Sequence, residues 1–397
     1  MTRRDALQLF TGAAMIAAVP ARGAPGARME AFRIPFDHRA AFDLRQRLKA
    51  TRWADSIVDN WSQGTDFKFL RSFIAYWQDH YSWERRVEAL NRLPHYRARI
   101  DRFGIHFLHF RSQQKDAAPL LLMNGWPSSF VEYLRLAPLL TTGNPAFHVV
   151  VPTHPGFGFS DRPSRPYQVE PADLYPALMQ SIGYGRFLVA GTDIGAGVAT
   201  RIALRRPDLV TGVHVAEALE RPAKPGDPPP SEAENAYHRR DSIWDQDEGG
   251  YQAIQSSKPQ TLGFALADSP TGLASWILEK FRGWSDCDGD PASVFPLEML
   301  ADNLTIYWMS NTIASSIRYY YDASRLRPHL RSSDYVEAPT AVAMWPKDIG
   351  IAPRELAERL YNVQRYTLFE RGGHFPAWEQ PELYASDLRA FAASLAS

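Results

Sequence analysis

The chain has 397 residues, of which 45% are hydrophobic and 22% are charged. This composition supports a sizeable hydrophobic core and excludes wholesale disorder. Because 44 lysines and arginines balance 44 aspartates and glutamates, no net charge would draw nucleic acid or an anionic membrane to the protein. The single cysteine, Cys287, excludes an intramolecular disulfide and a zinc site built from several cysteines.

The first 28 residues predict a targeting segment that precedes the fold. Arg3 and Arg4 are followed by an apolar run at residues 9–19, which is too short to span a bilayer, and then by small residues. This order resembles a twin-arginine export signal, so we expect a periplasmic protein. The alternative is a helical or disordered extension of a cytoplasmic protein. No later segment has 18 uninterrupted apolar residues, so we expect no stable membrane insertion.

Residues 29–104 predict an N-terminal helical meander. Apolar residues recur at helical spacing over residues 40–49 and 67–80, and aromatic residues occur throughout the segment. Aromatic side chains make up 12% of the whole chain, which suits the wall of an apolar pocket as well as a core.

Residues 105–230 and 326–397 predict the two parts of an α/β core. In both parts, short apolar runs alternate with helical patterns, which is typical of parallel strands with helices on both faces. The predicted strands lie at residues 119–123, 147–151, 187–190, 213–216, 340–344 and 366–369, and a final amphipathic helix lies at 383–395. The pattern therefore predicts a doubly wound, mostly parallel sheet.

A proline-rich segment at residues 222–230 interrupts this core. Its prolines lack the backbone N–H that a helix interior or a central strand needs, so the segment predicts a linker. Residues 231–325 follow it with helical, aromatic-rich patterns. We therefore expect a helical cap inserted between the two parts of the core.

The sharpest local signal is Gly-Thr-Asp-Ile-Gly at residues 191–195, between a predicted strand and a helical pattern at 196–206. Glycines two positions on either side of a central residue allow the sharp turn on which α/β hydrolases carry their nucleophile. The central residue here is Asp193, and the N-terminus of the following helix would favour its ionised, nucleophilic form. We therefore predict an α/β-hydrolase fold with a carboxylate nucleophile.

Two other interpretations of this turn stay open. Gly195 and Gly197 after a strand also resemble part of a dinucleotide-binding fingerprint, with Glu217 at the distance where that fingerprint places its acid. Against it, Thr200 replaces the third glycine, and Asp193 would place a negative charge beside the pyrophosphate. The other interpretation is a tight turn in which Asp193 only caps the helix.

Two further loops supply partners for the nucleophile. Asn-Gly-Trp-Pro at residues 124–127 ends a predicted strand, so the backbone N–H groups of Trp126 and Ile194 are the candidate oxyanion-hole donors. His374 follows the last predicted strand and is the candidate base, and Asp348 follows the strand before it and is the candidate orienting acid. A lone loop histidine is more often structural, but nucleophile, acid and histidine occur here in the chain order of this fold. No histidines have metal-ligand spacing, so we expect no metal.

Together these motifs resemble those of the microsomal-type epoxide hydrolase family. The resemblance extends over nearly the whole chain from Met29 onward, and the motifs are jointly very specific. The matching segments are the Asp-centred elbow, Asn-Gly-Trp-Pro at 124–127, Trp-Pro-Lys-Asp at 345–348, Gly-Gly-His-Phe at 372–375, Trp-Ser-Gln-Gly at 61–64, Gly-Tyr at 250–251 and Ser-Ser-Ile-Arg-Tyr-Tyr at 315–320.

The resemblance implies a role for each candidate residue. Asp193 would be the nucleophile, His374 the base, Asp348 its partner, and Tyr251 and Tyr320 the proton donors. The implied reaction converts a small apolar epoxide and water into a vicinal diol through an alkyl ester, without a cofactor. A carboxylate suits attack at saturated carbon because no proton has to be removed from it first.

Two residues depart from the family pattern. The family usually begins its oxyanion loop with His and follows the nucleophile with Trp, whereas this chain has Asn124 and Ile194. Backbone N–H donors survive both changes, so the chemistry should persist while the pocket shape differs.

Two other functions stay open from the sequence. A haloalkane dehalogenase uses the same Asp and His but holds a halide with Trp or Asn N–H groups, which Asn124 and Trp126 could provide. The non-enzymatic alternative is a retired hydrolase scaffold that binds a small apolar ligand. The intact set of Asp193, His374 and Asp348 argues against that alternative.

Overall fold

The computed structural model describes residues 28–395, and a mixed β-sheet runs through them. Residues 1–27 of the predicted targeting segment lie outside this range. The strands of the sheet are β1 (Arg28–Ala31), β2 (His95–Ile100), β3 (Phe103–Phe110), β4 (Ala118–Met123), β5 (Phe147–Pro152), β6 (Phe187–Gly191), β7 (Val210–Val215), β8 (Val336–Met344) and β9 (Tyr361–Leu368).

The sheet order is β1-β2-β3-β5-β4-β6-β7-β8-β9. All pairs from β5 to β9 are parallel, whereas β1, β2, β3 and β5 pair antiparallel at one side. Because parallel strands end at the same edge of a sheet, the loops after β4, β6, β8 and β9 lie close together. These are the loops that carry the candidate catalytic residues.

The helices fall into an N-terminal arm, a core set and a cap. The arm contains α1 (His38–Lys49), α2 (Phe67–Asp79) and α3 (Trp83–Leu90), and the core set begins with α4 (Leu136–Thr141), α5 (Pro171–Ser181) and α6 (Ile194–Arg205). The cap lies between β7 and β8 and contains α7 (Glu232–Glu248), α8 (Gly250–Ser257), α9 (Pro259–Asp268), α10 (Pro270–Gly283), α11 (Leu297–Ser310) and α12 (Ile313–Arg325). The core set ends with α13 (Arg354–Glu358), α14 (Pro376–Glu379) and α15 (Pro381–Ser394).

Two apolar clusters pack on the sheet. One contains side chains of α5, α6 and α13, and the other contains side chains of α4, α15, the arm and the cap. Helices therefore cover the sheet as a doubly wound fold requires. Within residues 28–395, no helix combines the length and the apolar character needed to cross a membrane.

The structure confirms the α/β-hydrolase fold and the predicted strands of the core, but it corrects the arm. Residues 29–104 were predicted to be helical throughout, whereas β1 and β2 are strands that pair with β3. The signal in β2 is a period of two, since Tyr96, Ala98 and Ile100 alternate with arginines 97 and 99. A short alternation of this kind is masked by the helical patterns around it, and pairing with buried β3 makes it a strand.

The arm is fixed to the cap through a buried acid on α11. Asp302 is 2% exposed and accepts hydrogen bonds from the Arg86 guanidinium at 2.6 Å and from the Tyr81 hydroxyl at 2.8 Å. One turn further along, the Thr305 hydroxyl accepts a hydrogen bond from the Trp77 indole at 2.9 Å. A buried charge is tolerated only when it is paired in this way.

Replacing Asp302 should therefore destabilise the fold. Asp302→Ala leaves the Arg86 charge without its buried partner, and we expect a loss of about 3 kcal/mol in the free energy of unfolding, measured by denaturant titration. The matched control is Asp268→Ala, because Asp268 pairs with Arg47 across the same arm–cap boundary but its side chain is 82% exposed. That change should cost less than about 1 kcal/mol. Equal losses in the two variants would contradict this account.

Candidate active site

Close steric contacts determine the sharp turn that carries Asp193, here called the nucleophile elbow. Asp193 has φ 49° and ψ −125°, a strained backbone conformation for a residue with a side chain. A Cβ at Gly195 would lie 2.1 Å from the carbonyl oxygen of Met123, and a Cβ at Gly191 would lie 2.2 Å from the carbonyl carbon of Gly195. Both flanking residues must therefore be glycine for the turn to close.

The side chain of Asp193 faces the oxyanion loop. Its Oδ1 accepts a hydrogen bond from the backbone N–H of Trp126 at 2.8 Å, and it makes no capping hydrogen bond to α6. The interpretation of Asp193 as a helix cap is therefore wrong. A Cβ at Gly125 would lie only 1.9 Å from Oδ1, so the loop approaches the carboxylate as closely as its backbone permits.

Asn124 stabilises the oxyanion loop from within. Its side-chain amide donates to the carbonyl of Gly125 and to the hydroxyl of Ser128, both at 3.0 Å, while Ser128 also bonds to the buried Glu132. The residue that departs from the family pattern thus holds the peptide next to the Trp126 donor.

His374 and Asp348 complete a linear arrangement with the nucleophile. The Nε2 atom of His374 lies 3.7 Å from Oδ2 of Asp193, and its Nδ1 is 2.7 Å from Oδ1 of Asp348. His374 is 4% exposed and Asp348 is 7% exposed. The structure therefore brings together the three residues that the sequence singled out from separate loops.

Electrostatic interactions among Asp193, His374 and Asp348 determine the pKa of His374 and of Asp193. Burial alone would lower the pKa of His374, but the negative charges of Asp348 and Asp193 outweigh that effect and raise the pKa to about 10. Burial raises the pKa of Asp193, while the positive His374 and the backbone N–H groups of Ile194 and Trp126 oppose that rise. The charge of Asp193 thus favours the protonated form of His374 in the resting site, and a positive His374 in turn favours the ionised form of Asp193.

Two cap tyrosines lie across from the nucleophile. The Tyr251 ring stacks on Trp126 with centroids 5.7 Å apart, and the Tyr320 ring meets Trp126 edge-on at 5.9 Å. Burial, and then the charge of Asp193, raise the pKa of both phenols well above the usual value. The buried Tyr320 hydroxyl has no hydrogen-bond partner among residues 28–395. A buried polar group without a partner indicates a site that a ligand can satisfy.

The sequence did not reveal which residues hold the histidine loop. The carbonyl of Trp284 accepts the backbone N–H of His374 at 2.8 Å, and the Asp286 carboxylate accepts the backbone N–H of Gly372 at 2.9 Å. The Trp284 ring also packs on the His374 ring at 5.1 Å. Both cap residues lie in an irregular segment that contains no recognisable sequence motif. Only their position in the folded structure shows that they hold the His374 loop.

Glu217 lies near the catalytic carboxylates. Burial and the charges of Asp193 and Asp348 raise its pKa to about 8. With its pKa raised in this way Glu217 is mostly protonated at neutral pH, whereas the acid of a dinucleotide-binding fingerprint accepts hydrogen bonds from the ribose, so the dinucleotide interpretation is further disfavoured.

Comparisons with known proteins agree with this geometry. The family model of the epoxide hydrolase N terminus matches residues 29–133, and the model of the alpha/beta hydrolase fold matches residues 118–249. A Stigmatella aurantiaca protein assigned as an epoxide hydrolase is 40% identical over 369 residues, covering 90% of this chain and 83% of that protein. Epoxide hydrolase 1 of Sus scrofa is 32% identical over 397 residues, covering 91% of this chain and 87% of its own.

Solved structures give the same result for the fold. The crystal structure of juvenile hormone epoxide hydrolase from the silkworm Bombyx mori has a TM-score of 0.85 and 28% identity, covering 93% of this chain and 95% of that one. The Aspergillus niger epoxide hydrolase structure has a TM-score of 0.81 and 27% identity, covering 94% and 97%.

The charge balance at His374 can be tested directly. Asp193→Asn removes one of the negative charges that raise the pKa of His374, so this pKa should fall below about 10. Asp348→Asn should lower it further, because Asp348 also accepts the hydrogen bond from Nδ1. His374 would then lose its proton at a lower pH in both variants, as measured by NMR titration of the imidazole nitrogens. The control is Asp208→Asn on the surface, and an unchanged pKa in Asp193→Asn would contradict the proposed coupling.

Proposed function

Because this chain belongs to the epoxide hydrolase family, we propose that it hydrolyses an epoxide to a vicinal diol through a covalent ester on Asp193. The observation that carries this proposal is the pair of phenols, the buried Tyr251 and the partly buried Tyr320, across from an aligned Asp193 and His374. An epoxide opens to an alkoxide, which is a poor leaving group and needs a proton as it departs. A halide needs none, so the phenols favour an epoxide over a haloalkane as substrate.

In the first step, Oδ2 of Asp193 attacks an epoxide carbon and the C–O bond of the ring breaks. A phenol donates its proton to the departing oxygen, which contributes roughly 10²- to 10⁴-fold to the rate. Oδ1 remains bound to the Trp126 N–H and becomes the carbonyl oxygen of the ester. The two carboxylate oxygens of Asp193 therefore have different roles before the reaction starts, because Oδ2 is free to attack while Oδ1 is held by the Trp126 N–H.

Ester formation changes the protonation of the whole site. The negative charge of Asp193 raises the pKa of both phenols and of His374, and the ester carries no charge. As the ester forms, the pKa of both phenols falls, so they become better proton donors. The pKa of His374 also falls, so it releases its proton more readily. The proton that His374 releases restores the phenol, which leaves His374 neutral for the next step.

In the second step, His374 takes a proton from water, and the hydroxide attacks Cγ of Asp193. Nε2 of His374 lies 3.7 Å from Oδ2, so a water bound to Nε2 beside this pair would be within reach of Cγ. The oxyanion forms on Oδ1, where one backbone donor is worth roughly 2.7–4 kcal/mol. Collapse of the intermediate breaks the bond between Cγ and Oδ2, and the departing Oδ2 takes the proton of the hydroxyl that water placed on Cγ. The diol leaves with Oδ2, and Asp193 returns to a carboxylate beside a protonated His374.

A single-turnover experiment tests both steps together. With excess enzyme in water labelled with heavy oxygen, the first diol should be unlabelled, because its new oxygen comes from Asp193. His374→Ala should form the ester but not release it, so mass spectrometry should find one alkyl group on Asp193 per chain. The Tyr251→Phe/Tyr320→Phe variant should form the ester at least about 10²-fold more slowly.

The control for the trapped ester is His374→Ala with Asp193→Asn, which should give no adduct because the nucleophile is gone. Heavy oxygen in the first diol would indicate direct attack by water. Halide release that exceeds epoxide turnover, together with an unimpaired tyrosine double variant, would favour the dehalogenase alternative instead.

We also propose that the N-terminal segment exports the protein to the periplasm. The paired Arg3 and Arg4, the short apolar run and the small residues after it support this proposal. N-terminal sequencing of the periplasmic protein should find a start after Gly23 or Ala24, and replacing both arginines with lysine should retain the precursor in the cytoplasm. A mature protein with an intact N-terminus would contradict export.

A further inference from the structure

A buried lysine lies against one of the two proton donors. Lys280 on α10 is 5% exposed, and its ammonium nitrogen is 5.0 Å from the centroid of the Tyr251 ring. The same nitrogen is 5.7 Å from the Trp284 ring and 5.8 Å from the Trp276 ring, and it pairs with Glu279. Lysine is almost never fully buried unless its charge is compensated. Here three aromatic faces and one carboxylate provide the compensation.

A cation over an aromatic face interacts with the π electrons of the ring. When a phenol loses its proton, negative charge spreads from the oxygen into the ring, and the attraction to the cation increases. The interaction is therefore stronger with the phenolate than with the phenol. Only an interaction that strengthens along the reaction lowers the barrier of a chemical step.

We propose that Lys280 is a positioning residue for proton donation, because its ammonium stabilises the negative charge that Tyr251 acquires as it protonates the epoxide oxygen. This inference rests on the proposed function of Tyr251. Lys280 transfers no proton itself. The proton of Tyr251 moves to the ring oxygen as the bond from Asp193 Oδ2 to carbon forms, and the charge left on Tyr251 is held until His374 returns a proton.

The placement of Tyr251 supports this role. Its ring stacks on Trp126 with only 5° between the ring planes, and it packs on the Trp284 ring at 4.9 Å. These contacts fix the ring relative to both the oxyanion loop and the ammonium. Within residues 28–395, the Tyr320 ring has no cation over its face. The two phenols are therefore unequal, and Tyr251 is the one whose charged form is stabilised.

The test separates the two half-reactions. Lys280→Met and Lys280→Gln are neutral variants of similar length, and both should slow ester formation by roughly 5- to 30-fold in rapid-quench single turnovers. The rate of ester hydrolysis should not change, because Tyr251 is neutral in that step. Lys280→Arg retains the charge and should restore most of the rate.

Two further comparisons exclude a merely structural effect. In a Tyr251→Phe background, Lys280→Met should cause no further loss, because no phenolate forms at that position. Lys280→Met should also slow ester formation less with trifluoromethyl-substituted epoxypropane than with epoxypropane. The alkoxide of the fluorinated substrate is more stable and needs less proton donation. The matched control is Arg282→Met on the same helix, whose cation lies over Trp61 at 5.9 Å, and ester formation should not change.

Equal losses in both half-reactions, or a further loss in the Tyr251→Phe background, would overturn the inference and leave Lys280 a packing residue. If ester formation is slow in Tyr251→Phe but normal in Lys280→Met, the inference about Lys280 is overturned while the proposed function stays intact. If Tyr251→Phe itself forms the ester at the normal rate, the role of Tyr251 fails, and the inference fails with it.

Discussion

The arrangement depends on one constraint, which is that a carboxylate whose side chain is only 16% exposed, that of Asp193, has to remain ionised. Asp193 needs its negative charge to attack carbon, yet burial favours the neutral acid. Backbone N–H groups of Trp126 and Ile194 and the positive ring of His374 offset that penalty. Asp348 stabilises the positive ring from its other side at 2.7 Å. Each support comes from a different loop, so the site exists only where the strand ends meet.

The phenols have to stay neutral, whereas Asp193 has to stay ionised. In the proposed mechanism, Tyr251 and Tyr320 stay protonated next to a negative charge and then donate a proton when the alkoxide forms. Burial and the charge of Asp193 keep both protonated at rest. Ester formation removes that charge, so a single bond-forming event prepares both the donors and the base. Lys280 adds an attraction that grows only when Tyr251 becomes negative.

The arm and the cap contribute through position. Proton donors on the cap act on a nucleophile on the core, and a displacement of about 1 Å between such groups can cost roughly 10²-fold in rate. Arg86 and Trp77 of the arm bond to α11 of the cap, and Trp284 and Asp286 of the cap bond to the loop that carries His374. The arm therefore helps to fix the position of the cap, and the cap in turn holds the loop of His374.

The sequence by itself determined the features that depend on neighbours along the chain. Apolar runs identified the core strands, and the glycines around Asp193 identified the turn, because backbone sterics leave few alternatives there. Tertiary structure alone decided that β1 and β2 join the sheet, that cap segments hold the His374 loop and that Lys280 lies over Tyr251. In the sequence, a lysine beside a glutamate on a helix predicts a solvated face. Burial and ring contacts are made by residues distant in the chain, so local patterns do not encode them.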